Sequence, residues 1–159
     1  MIKPEGLIHK LYTSFQIKDW QTMQSCYHAQ ATFSDPVFQN LNAKEAKAMW
    51  HMLAAAAQDL KVIFGDVKVS ADQGTCQWQA WYKFSRTGRN VNNIIEAHFE
   101  FRDELIFRHI DQFDLWRWSR MALGAPGVLL GWSPIIRNKI RNTARKGLAR
   151  FISEHPQYQ

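Results

Sequence analysis

An α+β fold, with helices packed on one face of an antiparallel sheet, follows from three features of the 159-residue sequence. Three helical patterns and one short strand precede Ala57, four β-rich segments come next, and a basic amphipathic helix follows an apolar stretch near the end. Three helices followed by four consecutive strands indicate this class.

Leu7, Leu11 and Phe15 recur at four-residue spacing over residues 4–17, which predicts a helix with one buried stripe. Asp19 is placed to cap a second helix starting near Trp20, with Met23 and Tyr27 turned inward. Residues 31–38 (ATFSDPVF) predict a short strand in which Pro36, lacking an amide donor, marks an edge or a break. Asn42 and Glu45 stand at capping-box spacing before a third helix with Ala46, Met49, Trp50 and Leu53 on one face. Residues 60–70, 75–85, 91–102 and 105–118 predict strands, separated by turn-like residues 72–74, 87–88 and 103–104.

Composition narrows the function. The length suits a single domain, and 46% hydrophobic and 13% aromatic residues supply ample core. Cys26 and Cys76 are too few and too far apart for a disulfide framework or a thiolate metal site. Lys3, Glu5, His9 and Lys10 interrupt the opening, so no signal peptide is expected and a cytoplasmic location is. The net charge of +6 is local: Arg137, Lys139, Arg141, Arg145, Lys146 and Arg150 form an acid-free run, while the remaining basic residues match the 14 acidic ones. An electrically ordinary body argues against nucleic-acid binding by the whole protein.

The chemistry concentrates in LIFRHIDQFDLWRW (105–118). Alternation places Phe107, His109, Asp111 and Phe113 on one face, and Ile110, Gln112 and Asp114 on the other. A carboxylate held among apolar neighbours gains the proton affinity that general acid–base chemistry needs. With Asp103–Glu104 as a two-residue turn, Arg102 pairs with Leu105, His98 faces His109 and Glu96 faces Asp111. Glu96, His98, His109 and Asp111 then share one face, and Ile95, Ala97, Phe99, Phe101, Ile106 and Ile110 the other. A slip of one residue destroys this cluster.

The order helix–helix–SDP strand–helix–four strands, with the HIDQFDL segment, resembles the nuclear transport factor 2-like superfamily over residues 5–120, in its SnoaL-like polyketide cyclase and ketosteroid isomerase-like branch. The resemblance implies a cone-shaped curved sheet around the helices with a pocket inside. Ser34-Asp35-Pro36-Val37 is similar to the isomerase segment whose Asp shuttles the substrate proton. Asp111-Gln112-Phe113-Asp114-Leu115 is similar to an epoxide hydrolase segment whose first Asp is a catalytic carboxylate. His98 stands where the isomerase keeps a protonated oxyanion-hole Asp, and Tyr12 lies one residue from the isomerase Tyr. Trp78 and Ala80 replace the Arg and second Asp of the epoxide hydrolases, so that triad is missing.

On the resemblance, residues 1–120 form the cone and 121–159 a packed appendage. Asp111 is the expected main acid or base, Asp35 its partner, and His98 and His109 orienting or oxyanion-binding groups. Tyr12, Trp78, Tyr82, Glu96, Phe107 and Phe113 are the expected pocket lining. The reaction would be isomerisation, cyclisation or hydration of a small apolar molecule, with no cofactor. Each assignment has a structural alternative: Asp111 as a strand carboxylate bonded to a His, Asp35 as a turn residue bonding its own backbone, and Trp78 and Tyr82 as core filling. A metal reading of the two His and two carboxylates has no local ligand motif behind it.

The second function class is a non-catalytic homodimeric module whose cup binds a ligand or is simply filled. Dimerisation is expected through the sheet's apolar back, at Phe99, Phe101 and Ile106. The third is peripheral membrane association through the tail. Residues 121–136 (MALGAPGVLLGWSPII) are too short and too broken to span a bilayer. They precede an amphipathic helix carrying Ile136, Ile140, Ala144, Leu148, Phe151 and Ile152 near one face, whose basic side (residues 137–152) suits solvent or an anionic surface.

Overall fold

Side-chain caps start the helices where their spacing predicts. Asp19 accepts from the Thr22 amide at 3.0 Å and begins α2 (Trp20–Ser25), which follows α1 (Pro4–Gln16). Asn42 and Glu45 complete a reciprocal capping box at the start of α3 (Ala43–Ala56). This computed structural model describes residues 3–159; residues 1 and 2, the first of the expected 1–120 unit, lie outside it.

The sheet has β1 (Tyr27–Ser34), β2 (Leu41–Asn42), β3 (Lys61–Ser70), β4 (Gln73–Phe84), β5 (Arg89–Arg102) and β6 (Leu105–Gln112), in the order β2-β1-β6-β5-β4-β3. β3 to β6 pair antiparallel; β1 runs parallel to β6. The curved sheet wraps α1–α3 in a cone, and Leu7, Ile8, Leu11, Phe15, Met49 and Trp50 fill it from the helical side. The expected strand over 31–38 begins earlier and stops at Ser34. There Asp35 turns the chain by accepting from the Val37 and Phe38 amides.

Two corrections fall on the last strand. β6 ends at Gln112, and Asp114 accepts from the Arg117 amide at 3.0 Å, capping α4 (Leu115–Leu123) instead of continuing the strand to 118. The hairpin register also slips. Asp103 and Glu104 both adopt positive φ, as a tight primed turn requires, and Arg102 pairs with Leu105. Phe101 then pairs with Ile106, but Glu100 pairs with Arg108, leaving Phe107 as the extra residue of a bulge. Beyond it Ala97 faces Asp111 and Phe99 faces His109.

The bulge exchanges the expected faces. Ile106, His109 and Asp111 all point into the cone beside Ile95, Ala97, Phe99 and Phe101, whereas Glu96, His98, Glu100 and Ile110 point outward. Phe99, Phe101 and Ile106 are therefore core, and the apolar back invoked for dimerisation is not there.

α5 (Ala125–Leu130) and α6 (Pro134–Glu154) follow α4, with Ser133 capping α6. Ala144, Leu148, Phe151 and Ile152 of α6 join the main core, and Arg141 Nε donates to the Pro36 carbonyl at 2.9 Å. Tyr158 is buried where its hydroxyl meets Gln24 and His51. Among the described residues, no helix is long and apolar enough to cross a membrane.

Candidate functional site

β6 places His109 and Asp111 two residues apart on the concave face, both buried. His109 Nε2 lies 2.9 Å from Asp111 Oδ1, and Trp78 Nε1 donates to the same oxygen at 3.3 Å. On the other side of the imidazole, Tyr27 Oη lies 2.7 Å from His109 Nδ1 and accepts from Trp50 Nε1 at 2.8 Å.

Donor counting fixes the proton positions. The Trp50 indole only donates, so the Tyr27 oxygen accepts there and its own hydrogen is free for His109 Nδ1. A neutral imidazole then carries its hydrogen on Nε2 and gives it to Asp111. The line Trp50–Tyr27–His109–Asp111–Trp78 thus runs through the cone with each of these contacts satisfied. The rings of Phe33, Trp50 and Phe99 enclose the imidazole, with centroids 5.0, 6.0 and 4.4 Å away.

Tyr12 is buried beside this line, stacked on Phe64 and tilted against Trp78. Its hydroxyl has no hydrogen-bond partner among the described residues. Burial pushes the Tyr12 and Tyr27 phenols well above their ordinary range, and the Asp111 charge pushes the same way. Burial also raises the Cys26 and Cys76 thiols to about 11, which makes both poor nucleophiles.

Asp35 stands where β1 leaves the sheet. Both turn amides go to its Oδ1, that of Val37 at 2.7 Å. The residue keeps a partial opening to solvent, but its carboxyl group is largely enclosed. Burial pushes it up to about 7; the Phe38 and Val37 amides oppose this, and the Asp111 charge adds to it. Burial raises the Tyr82 phenol and the Asp35 charge adds to this, while its hydroxyl accepts from Trp118 Nε1 at 2.8 Å. Val37, Tyr82 and Phe113 pack against both the main core and the smaller cluster of Val91, Leu115, Trp118 and Ala122, so this corner joins the cone to α4.

The structure brings together Asp111, His109, Tyr12 and Trp78, with Asp35, Tyr82 and Phe113 toward α4. Glu96, His98 and Phe107 are corrected. Glu96 and His98 project from the outer face, 3.4 Å apart and both substantially exposed, because the bulge moved the opposing strand by one residue. The metal reading built on that foursome goes with them. Phe107, the bulged residue, packs under the Arg102 guanidinium 3.5 Å from its ring centroid.

Tyr27 and Trp50 complete the buried line and are not among the site residues that the sequence points to. Trp50 faces inward as helical spacing predicts, but Tyr27, expected on the second helix, opens β1 because α2 ends at Ser25, and its contact with His109 comes from the parallel pairing of β1 with β6. Two depressions of about 330 and 340 Å³ open on the protein surface, and neither is lined by Asp35 or Asp111.

The SnoaL-like domain family matches residues 8–109. Among solved structures, TsrD from Streptomyces laurentii is 20% identical with a TM-score of 0.64, the match covering 75% of this chain and 92% of TsrD. A hypothetical protein with a ketosteroid isomerase-like fold from Catenulispora acidiphila, in complex with trimethylamine, is 12% identical with a TM-score of 0.66, over 80% of this chain and 97% of that one. An LEH-like epoxide hydrolase from M. tuberculosis is 12% identical with a TM-score of 0.62, over 74% and 86%. At such identities the likeness is one of fold. No curated protein matches the chain.

Proposed function

The chain belongs to the SnoaL-like domain family, and on that premise we propose that it binds a small apolar molecule in its cone and moves a proton on it without a cofactor. Residues 1–120 form the cone in this reading, and residues 121–159 form an arm that closes one side of it. Asp35 is the proton-transferring group, its proton affinity raised first by burial, and Asp111, held by His109 and Trp78, is the second carboxylate that adds to that rise and steadies charge on the ligand. Tyr12 offers an uncommitted hydroxyl for a developing oxyanion.

The observation that carries the reading is the enclosed Asp35 carboxyl: burial, with the Asp111 charge adding to it, pushes it up to about 7, where a general acid or base works best near neutral pH. Enolisation of a carbonyl compound is the simplest step such a site performs. Asp35 removes a carbon-bound proton, Tyr12 donates a hydrogen bond to the enolate oxygen, and the proton returns to the same or a neighbouring carbon.

Solvent deuterium tests this step on model compounds, whatever the natural substrate. A panel of apolar carbonyl compounds is incubated with the protein in D₂O, and deuterium gain at carbon is read by mass spectrometry. The reading expects incorporation with the native chain and its loss, by roughly 10²–10⁴-fold, in Asp35→Asn. Incorporation at the native rate in that variant removes Asp35 from the chemistry.

A second reading, a non-catalytic homodimeric scaffold, is favoured by a different observation: Phe33, Trp50, Trp78 and Phe99 fill the cone around the buried line. Its dimer would use the outer sheet face, where Ile63 and Ile94 flank Gln79 in one cross-strand row. Sedimentation velocity of Ile63→Lys/Ile94→Lys against the native chain tests that contact.

A further inference from the structure

Between Leu115 and Ser153 the sequence carries eight arginines and lysines and no acidic residue. At the turn from α5 to α6, five large apolar side chains stand in water within eight residues: Val128, Leu129, Leu130, Trp132 and Ile135 are 51%, 69%, 51%, 61% and 79% exposed. Packing holds them there. A Cβ on Gly127 would come within 2.0 Å of the Ser119 carbonyl oxygen, and one on Gly131 within 2.2 Å of the Ser119 hydroxyl, so α5 presses its glycine side onto α4. The large side chains are left on the opposite side.

We propose that this turn is a docking surface for an anionic lipid bilayer, with Leu129, Trp132 and Ile135 entering the headgroup region and the first turns of α6 held by charge. An exposed apolar cluster of this kind marks an interaction surface. Trp is suited to the membrane–water boundary, and basic residues beside an apolar anchor are drawn to anionic lipid. Arg141 and Arg145 are already engaged with the Pro36 and Gln39 carbonyls, and Arg150 with Glu154, whereas Arg137, Lys139 and Lys146 are exposed and point to solvent. Charge decides against a second copy of the chain as the occupant. A two-fold contact through this turn would bring one basic, acid-free segment against its own copy, and juxtaposed like charges weaken such an interface.

The experiment is co-sedimentation of the full chain with vesicles of phosphatidylcholine alone or mixed with phosphatidylserine, at low and high salt. Two variants remove the two halves of the surface: Leu129→Ser/Trp132→Ser/Ile135→Ser and Arg137→Gln/Lys139→Gln/Lys146→Gln. All six positions are exposed, and sedimentation velocity checks their association state. The proposal expects binding to the mixed vesicles that weakens as salt rises, and about tenfold weaker binding in each variant. It is overturned if the native chain stays in solution with mixed vesicles at low salt, or if the apolar variant binds as the native chain does. It is also overturned if the native chain self-associates, the apolar variant does not, and neither binds vesicles: the turn is then a contact between copies.

Discussion

His109 gives its Nε2 hydrogen to Asp111 Oδ1 across 2.9 Å, although the two residues lie on the same strand with only Ile110 between them. Neighbouring same-face positions on a strand rarely converge this way unless other groups hold them. Here Tyr27 holds the far side of the imidazole, and Trp78 holds the carboxylate.

Replacing Asp111 separates its geometric and ionic roles. Asp111→Ala leaves the His109 Nε2 and Trp78 Nε1 hydrogens without an acceptor in a closed core, at about 1–3 kcal/mol each. Asp111→Asn keeps an acceptor oxygen and should cost much less. Chemical denaturation of both variants checks the order, and Asp111→Asn should slow deuterium incorporation although it stays folded.

Tyr27→Phe tests the outer half of the line. Trp50 Nε1 and His109 Nδ1 both lose their partner, so the loss should again be about 1–3 kcal/mol for each orphaned group. A double-mutant cycle with Asp111→Asn should show coupling of about 0.5–3 kcal/mol if the line acts as one network. Additive effects would mean that it does not.

The Asp35 carboxyl makes a pH prediction with a definite sign. Its folded value of about 7 lies above the ordinary 3.8, so the folded protein holds a proton that the unfolded chain has already released between those values. Stability therefore falls as pH rises from about 4 to about 7 and is flat above, a loss on the order of 2–4 kcal/mol. Asp35→Asn keeps the turn acceptor and removes the cost of ionisation. Its melting temperature should exceed the native one at about pH 8, and the two should converge below about pH 4.

The helix starts were readable because a cap is a local event: Asp19 and Asn42 need only the next three residues to bond. The hairpin turn at Asp103–Glu104 was readable for the same reason. The bulge three residues later was not, since it is settled by what the cone will bury. One residue carried the signal. Strict alternation from Ile106 sends Arg108 into the core, and the bulge turns it outward to meet Glu100 at 3.0 Å. That single step moved His109 and Asp111 onto the face of Ala97 and Phe99 and separated them from His98 and Glu96. Asp35 shows the opposite case, because its local reading needs only its own turn: it accepts from the Val37 and Phe38 amides, as an Asp before a proline can.

Gly127→Ala probes how firmly the arm is fixed. The added methyl overlaps the Ser119 carbonyl, so α5 must shift off α4 at a cost of about 1–3 kcal/mol. Hydrogen exchange should quicken through residues 115–136 while β4–β6 amides keep their protection. Uniform acceleration would instead mean that arm and cone unfold together.

The most direct measurement of the central claim is the titration of the Asp35 carboxyl carbon by NMR in the native chain and in Asp111→Asn. The midpoint is expected to lie near 7 and to move down when the Asp111 charge is removed. A midpoint near 4 in the native chain, unmoved in the variant, would contradict that claim.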